Sequence, residues 1–271
     1  MNPVKPVTVL TLREMKREGE RIAMLTAYDY SFAALVDRAG VDAVIVGDTL
    51  GMIIQGHQST LPVTMTDMIY HSACVARGLQ RTLLIGDLPF GAYQQNREQA
   101  FANAARLMSE GGAHVVKLEG GEPMADTVRF LVDRGVPVCG HVGLTPQSVH
   151  KFGGHRVQGR KADAAERIRR DAQALAEAGA SLIVLEAVPT ELAARITAEV
   201  PVPTIGIGAG ADCDGQVLVL YDVLGIYPGR VPKFAKNFMA GTASAEEAVK
   251  TYVTDVKTRR FPGPTHVYHS E

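Results

Sequence analysis

Three short apolar runs of the chain each close on a carboxylate: Ala43-Val44-Ile45-Val46-Gly47-Asp48, Leu83-Leu84-Ile85-Gly86-Asp87 and Val115-Val116-Lys117-Leu118-Glu119. An acid ending a buried strand is costly unless its charge is compensated. Three of them at the same end of successive strands point to a shared cation. Oxygen-only donors suit a hard ion such as Mg²⁺ better than zinc. Because Mg²⁺ takes few protein ligands and keeps several waters, some of the three acids can hold it through water. Lys117 stands two residues before Glu119 and faces the same side of its strand. It could grip a substrate carboxylate, stabilise an enolate oxygen, form a Schiff base with a carbonyl substrate, or pair with a strand-end acid. Glu186 closes the run Leu182-Ile183-Val184-Leu185-Glu186, apart from the trio. That separation suits a general base, the alternative being a capping or salt-bridged glutamate. His141, in Cys139-Gly140-His141-Val142-Gly143, could orient substrate, donate to an oxyanion, or be a satisfied structural histidine.

The elements that must position these groups are eight strand candidates: Ile22–Asp29, Ala43–Asp48, Thr82–Pro89, Val115–Gly121, Pro137–Gly143, Ser181–Val188, Pro203–Gly210 and Val217–Ile226. Their apolarity is continuous rather than alternating, as expected of parallel strands buried on both faces. Amphipathic stretches lie between them. Asp163 is placed to cap a helix over Ala164–Ala178, with Glu166 three residues on and Gly179 just past its end. Another helix is expected from near Thr64 or Thr66 to Gly78, and a further one from about Ala243 to Arg260. This β-α alternation predicts a parallel α/β architecture. Eight repeats favour a closed (β/α)₈ TIM-type barrel over an open doubly wound sheet. No low-complexity linker divides residues 1–271, so the expectation is one barrel domain with an additional C-terminal helical tail. In a barrel the chemistry sits at the C-terminal ends of the strands. The candidates there are Asp29, Asp48, Asp87, Glu119, His141, Glu186 and the glycines Gly206, Gly208 and Gly210.

Composition narrows the function classes. With 28 Lys and Arg against 29 Asp and Glu, the net charge is −1. There is no basic stripe for a phosphate backbone, so nucleic acid is not an expected partner. Apolar runs are all interrupted before membrane-spanning length, and the N-terminus lacks a signal-like apolar core, which points to the cytoplasm. Cys74, Cys139 and Cys213 are odd in number and scattered, unlike a disulfide framework or a metal knuckle. Gly206-Ile207-Gly208-Ala209-Gly210 lacks dinucleotide-site spacing, though its glycines would let a ligand approach the backbone. The basic, glycine-rich loop from Lys151 to Lys161, including Arg156 and Arg160, is either a solvated loop or a grip for an anionic substrate tail.

Taken in order, these segments resemble the ketopantoate hydroxymethyltransferase family. The resemblance is carried by Leu25-Thr26-Ala27-Tyr28-Asp29, Val46-Gly47-Asp48-Thr49-Leu50-Gly51-Met52, Gly56-His57 and Thr60-Leu61-Pro62-Val63-Thr64. It continues through Asp87-Leu88-Pro89-Phe90, Val116-Lys117-Leu118-Glu119-Gly120-Gly121, Gly140-His141-Val142-Gly143-Leu144-Thr145-Pro146-Gln147 and Gly206-Ile207-Gly208-Ala209-Gly210. It spans roughly Val7 to Phe238. It implies a (β/α)₈ barrel that passes a one-carbon unit from methylene-tetrahydrofolate to 3-methyl-2-oxobutanoate in pantothenate synthesis. It also implies Asp48, Asp87 and Glu119 as the Mg²⁺ site, and Asp48, Thr49, Asp87 and Lys117 as oxo-acid contacts. Glu186 matches the proton acceptor, and the assembly implied is a homo-oligomer, a decamer of stacked pentamers. Thr49 stands where serine is expected in many members; it keeps the hydroxyl and adds a methyl. His141 is expected beside the substrate. The triplet Cys139-Gly140-His141 is also similar to the cysteine motif of isocitrate lyase relatives, but Pro137 and Val138 replace the lysines preceding that motif, so a catalytic cysteine is discounted. Rival expectations are another Mg²⁺-dependent barrel of the phosphoenolpyruvate mutase and isocitrate lyase type, and a non-catalytic metabolite-binding barrel.

Overall fold

The computed structural model describes residues 5–271. Eight strands run through it: β1 (Ile22–Thr26), β2 (Ala43–Val46), β3 (Leu83–Asp87), β4 (Val115–Glu119), β5 (Val138–Gly143), β6 (Leu182–Glu186), β7 (Thr204–Ile207) and β8 (Gly215–Leu218). All pair in parallel with their chain neighbours, and β1 also pairs with β8, so the sheet closes into a barrel in sequence order. The expected (β/α)₈ architecture is the observed one.

Strand side chains alternate between two cores. Ile22, Met24, Ala43, Ile45, Leu83, Ile85, Val115, Cys139, Leu182, Val184, Ile205 and Val217 point inward and pack together. The residues between them, such as Ala23, Leu25, Val44, Leu84, Val116, Ile183 and Leu185, pack under the surrounding helices. Burial on both faces explains why the runs read as continuously apolar. Leu12 and Met15, from the N-terminal helix Val9–Glu18, join the inward cluster, so that helix closes one end of the barrel. The opposite end, where the strands finish, is left for polar groups.

Strand register then sets the chemistry. Asp87 of β3 lies directly beside Lys117 of β4, and Glu119 beside His141 of β5. Gly143 of β5 lies beside Glu186 of β6. A one-residue slip in any of these pairings would turn an inward group outward. Gly143 has φ +94°, and a Cβ there would come within 2.3 Å of the Glu186 carbonyl oxygen, so only glycine lets β5 pass this close.

The helices follow their sequence signals with some corrections. Met65–Ala76 starts at Thr64, whose hydroxyl accepts from the Asp67 N–H while Asp67 accepts from the Thr64 N–H, a reciprocal cap. The helix expected over Ala164–Ala178 runs from Ala162 to Glu177. Lys161 occupies its cap position, so Asp163 sits in the first turn near the positive helix end rather than capping it. The C-terminal helix Ala245–Lys257 is shorter than the Ala243–Arg260 expected. It sets Tyr252 Oη within 3.0 Å of the Met24 and Gln216 carbonyls, across the seam between β1 and β8. The largest misreading concerns β8. The run Val217–Ile226 was expected as strand, but β8 begins at Gly215 and ends at Leu218, and Leu220–Val223 is a helical turn. Asp29 accepts a hydrogen bond from the Phe32 N–H (2.9 Å), capping the helix Tyr30–Arg38, and takes no part in the strand-end cluster. Among the described residues no helix is long and apolar enough to cross a membrane.

Candidate active site

The C-terminal ends of β2 to β6 bring five ionisable groups into one buried patch. Asp48, Asp87, Lys117, Glu119 and His141 are each 5% exposed or less. Lys117 Nζ donates to both Asp87 oxygens at 2.7 Å and lies 3.7 Å from Glu119 Oε1. The Asp48 N–H donates to Asp87 Oδ2 at 3.3 Å. His141 bridges two acids, with Nδ1 3.6 Å from Glu119 Oε1 and Nε2 3.2 Å from Glu186 Oε2. Neither ring nitrogen forms a directed hydrogen bond, and Glu119 Oε1 is likewise buried without a hydrogen-bond partner.

One ammonium cannot neutralise this many acids, and the protonation equilibria reflect that. Burial, reinforced by the charges of Asp87 and Glu119, pushes the Asp48 carboxyl well above the usual range. Burial raises Asp87 too, although Lys117 opposes it. For Glu119 burial is outweighed by Lys117, His141 and the Gln147 N–H, and its carboxyl lies below the usual range. Burial would lower Lys117, but Asp87, Glu119 and Asp48 together raise it and hold it charged. His141 follows the same logic: Glu119 and Glu186 overcome burial and raise it to about 9.

A glutamine organises the patch. Gln147 Nε2 donates to Asp48 Oδ2 (3.0 Å) and to the Leu88 carbonyl (2.9 Å). Its backbone N–H donates to Glu119 Oε2 (3.0 Å), and its side-chain oxygen accepts from Tyr93 Oη (2.7 Å). Gln147 closes the segment Gly140–Gln147, but neither its type nor its spacing points to a role. It lies in a short loop after β5, where only tertiary structure shows its reach to β2 and β4.

Two cavities meet over this patch. The inner one, about 70 Å³, is lined by Asp48, Asp87, Lys117, Glu119, His141 and Glu186. The outer one, about 710 Å³, includes Met52, Arg156, Asp222, Arg230, Lys233 and Tyr268 in its wall. Thr49 and Glu186 line both and mark the boundary between them. Thr49 Oγ1 is 2.8 Å from the buried Tyr28 hydroxyl. The Glu186 side chain is 14% exposed, more open than any acid of the trio. The next residue, Ala187, has φ +46° in the left-handed region, a strained geometry for a residue with a side chain. Its N–H still donates to the Ile207 carbonyl (2.8 Å), so the chain is held in that bend immediately after Glu186.

Every strand-end residue singled out for metal or oxo-acid contact, Asp48, Thr49, Asp87, Lys117, Glu119 and His141, therefore borders one chamber, and Glu186 faces it. Other expectations fare differently. The Gly206–Gly210 segment is close-packed by the protein itself: a Cβ at Gly208 would lie 2.7 Å from the Phe234 ring, and one at Gly210 would collide with Thr190. No ligand is needed to explain these glycines. In the basic loop Arg156 lines the outer cavity, whereas Arg160 turns to the C-terminal Glu271 at 3.8 Å. Asp222, Arg230 and Lys233, all on the cavity wall, carry no signal in the sequence: Asp222 falls inside the run expected as strand, and the two cations in an irregular stretch beyond it.

Comparison with known proteins agrees with this geometry. The family model for ketopantoate hydroxymethyltransferase matches residues 6–264. A 3-methyl-2-oxobutanoate hydroxymethyltransferase from Neisseria gonorrhoeae is 59% identical over 262 residues, covering 97% of this chain and 99% of that protein. One of the same name from Azoarcus sp. is 58% identical over 265 residues, covering 97% of each. Among solved structures, a putative phosphonomutase from Burkholderia cenocepacia superposes with TM-score 0.64 at 16% identity, covering 80% of this chain and 94% of that one. Phosphonopyruvate hydrolase in complex with oxalate and Mg²⁺ superposes with TM-score 0.59 at 15% identity, covering 78% and 80%. These structural likenesses speak to the barrel alone. The sequence matches decide the family: the chain belongs to the ketopantoate hydroxymethyltransferases and is an enzyme, a hydroxymethyl transferase.

Proposed function

We propose that the chain transfers the one-carbon unit of methylene-tetrahydrofolate to 3-methyl-2-oxobutanoate, with water supplying the hydroxyl oxygen and tetrahydrofolate leaving, giving 2-dehydropantoate for pantothenate synthesis through a Mg²⁺-stabilised enolate. The observation that carries this reading is the division of the barrel mouth: a buried chamber of acids around Lys117, with one more exposed acid, Glu186, facing it.

The residues fit Mg²⁺ on their own chemistry. The donors are all oxygens, one of them, Glu119 Oε1, is buried and unpartnered, and the Asp48 carboxyl is raised by burial and by its acidic neighbours. Among the described residues no three His, Cys, Asp or Glu side chains close a ready-made cage. Asp48, Asp87 and Glu119 would hold the ion between them, some of them through its bound water, in keeping with the few protein ligands Mg²⁺ takes. When bound, the ion would chelate the oxo acid and acidify its C3–H.

The remaining steps belong to side chains. Lys117, kept charged by Asp87, holds the substrate's carboxylate end and balances the negative charge that develops on its keto oxygen. A permanently protonated amine is a poor nucleophile, which argues against a Schiff base on Lys117. Glu186 takes the C3 proton, with His141 Nε2 3.2 Å away as a charge partner and the strained bend at Ala187 fixing its backbone. The exposed face of the resulting carbanion opens to the outer cavity, where the folate would present its one-carbon unit. Arg156, with Arg230 and Lys233, supplies the positive wall suited to the donor's anionic tail. The same reading includes a cytoplasmic homodecamer, which light scattering of the purified protein would test.

Product analysis with 3-methyl-2-oxobutanoate, methylene-tetrahydrofolate and Mg²⁺, each omitted in turn, tests the whole assignment. Product should require all three. Formation of product without a folate donor would favour a lyase of the phosphoenolpyruvate mutase type, and full activity in EDTA with borohydride trapping of Lys117 would favour a Schiff-base aldolase.

A further inference from the structure

Asp222 is a buried acid that no step above uses. It is 5% exposed, its Oδ1 is fully enclosed without a hydrogen-bond partner, and it nonetheless lines the outer cavity. It stands on the helical turn Leu220–Val223 that follows β8, on the same wall as Thr49 and Met52. Its field contributes to raising the Tyr28 phenol, whose hydroxyl is bonded to Thr49 at the boundary with the inner chamber. A buried carboxylate without donors is costly, and a protein keeps one only where some other benefit offsets that cost.

The cavity around it is chemically polarised. Met52, Ile53, Leu144, Ile207 and Phe234 supply an apolar body. The three cations Arg156, Arg230 and Lys233 lie elsewhere on the wall, and none of them is close enough to Asp222 to offset its burial, which raises its carboxyl to about 6. At neutral pH the group is thus mostly ionised and lacks donors. With Oδ1 enclosed, Oδ2 is the oxygen left to the cavity, and as a charged acceptor it suits an N–H donor carried by a ligand.

We propose that Asp222 is a specificity-determining residue for the one-carbon donor, its Oδ2 accepting a hydrogen bond from the exocyclic amine of the donor's heterocycle. This rests on the folate reading above. It fixes the donor's direction: the donor-edged ring enters toward Asp222 and Thr49, beside the inner chamber, and the anionic tail leaves toward the cations. The one-carbon unit, carried near the ring, is thereby delivered to the side of the cavity that Glu186 borders.

The test compares methylene-tetrahydrofolate with an analogue in which the exocyclic ring amine is replaced by methyl, using wild-type enzyme and Asp222→Asn. The wild type should prefer the natural donor in kcat/KM by at least about tenfold, the value of a hydrogen bond to a charged group, chiefly through KM. In Asp222→Asn that preference should fall to near unity. A purely structural Asp222 would lower both donors alike and leave the ratio intact, which would overturn the proposal. So would a wild-type enzyme that does not distinguish the two donors, a result that needs no variant to fold. If the wild type makes no product from methylene-tetrahydrofolate at all, the donor reading itself is wrong and the inference falls with it.

Discussion

The two rims of the barrel treat buried acids in opposite ways. At the rim where strands begin, each acid has its own partners. Asp214 Oδ2 accepts from Lys16 Nζ (2.7 Å) and from the Thr204 N–H (2.8 Å). Asp42 Oδ2 accepts from the Ala23 N–H (2.9 Å) and pairs with Lys257 (2.7 Å). Asp37 accepts from the Thr82 hydroxyl and from two backbone N–H groups, which outweigh burial and hold its carboxyl below the usual range. At the rim where strands end, Asp48, Asp87 and Glu119 share one lysine, and a fourth acid, Asp222, has no hydrogen bond to its Oδ1. The first arrangement spends charge on holding the fold together. The second leaves charge uncompensated, which on the proposed reading Mg²⁺ and substrate would offset. This is the division expected of a barrel whose loops at one end carry the chemistry.

Substitutions can break that contrast in graded steps. The largest effect should come from Lys117→Met, which removes the ammonium bonded to both Asp87 oxygens and leaves protonated His141 as the remaining cation among the top-rim acids. Removing one partner of a buried pair costs about 3–5 kcal/mol, so urea denaturation in EDTA should show a loss of that order; a stability equal to wild type would mean the acids do not depend on Lys117. Next, Asp214→Ala at the opposite rim orphans Lys16 and the Thr204 N–H and should cost about 2–3 kcal/mol. Its kcat/KM measured on folded protein should match wild type, and a specific kinetic defect would erase the division between rims.

Asp222→Asn should act in the other direction. Its folded-state value, about 6, lies above the 3.8 usual for an aspartate in the unfolded chain. The neutral form is therefore favoured by folding: this contribution is fully present below about pH 3.8 and is lost as pH rises through about 6. The variant should gain stability relative to wild type across that window, by roughly 1–2 kcal/mol above it. A pH-independent difference would show that Asp222 is compensated after all. The smallest effect is expected in the outer cavity. Arg156→Gln should raise KM for polyglutamylated donor a few-fold more than for monoglutamate, whereas Arg160→Gln should not, since Arg160 faces Glu271. Equal behaviour of the two variants would remove the loop from donor binding.

Much of the barrel was legible in the chain because burial on both faces leaves a continuous apolar run that alternation cannot imitate. The strand-end acids were legible for a related reason: a charge closing such a run stands out against it. What failed was anything decided by tertiary reach. Val217–Ile226 is apolar but for Asp222 and Gly225, yet the chain turns at Val219 and coils, and hydrophobicity alone does not separate those states. Asp29 and Asp87 both follow apolar runs, but one caps a helix and the other pairs with Lys117, according to which N–H groups or cations the fold brings near. Gln147 and Asp222 carry no spacing signal, since their partners or lack of them depend on loops converging from distant parts of the chain.

The central claim is that the open acid at the active rim, Glu186, moves the proton while the buried trio does not. Wild-type enzyme and Glu186→Gln should be incubated with 3-methyl-2-oxobutanoate and Mg²⁺ in deuterated water, with loss of the C3 proton followed by NMR and substrate binding measured in parallel. The prediction is that Glu186→Gln binds the oxo acid and Mg²⁺ as wild type does but no longer exchanges the C3 proton. Exchange at the wild-type rate in that variant would contradict the account.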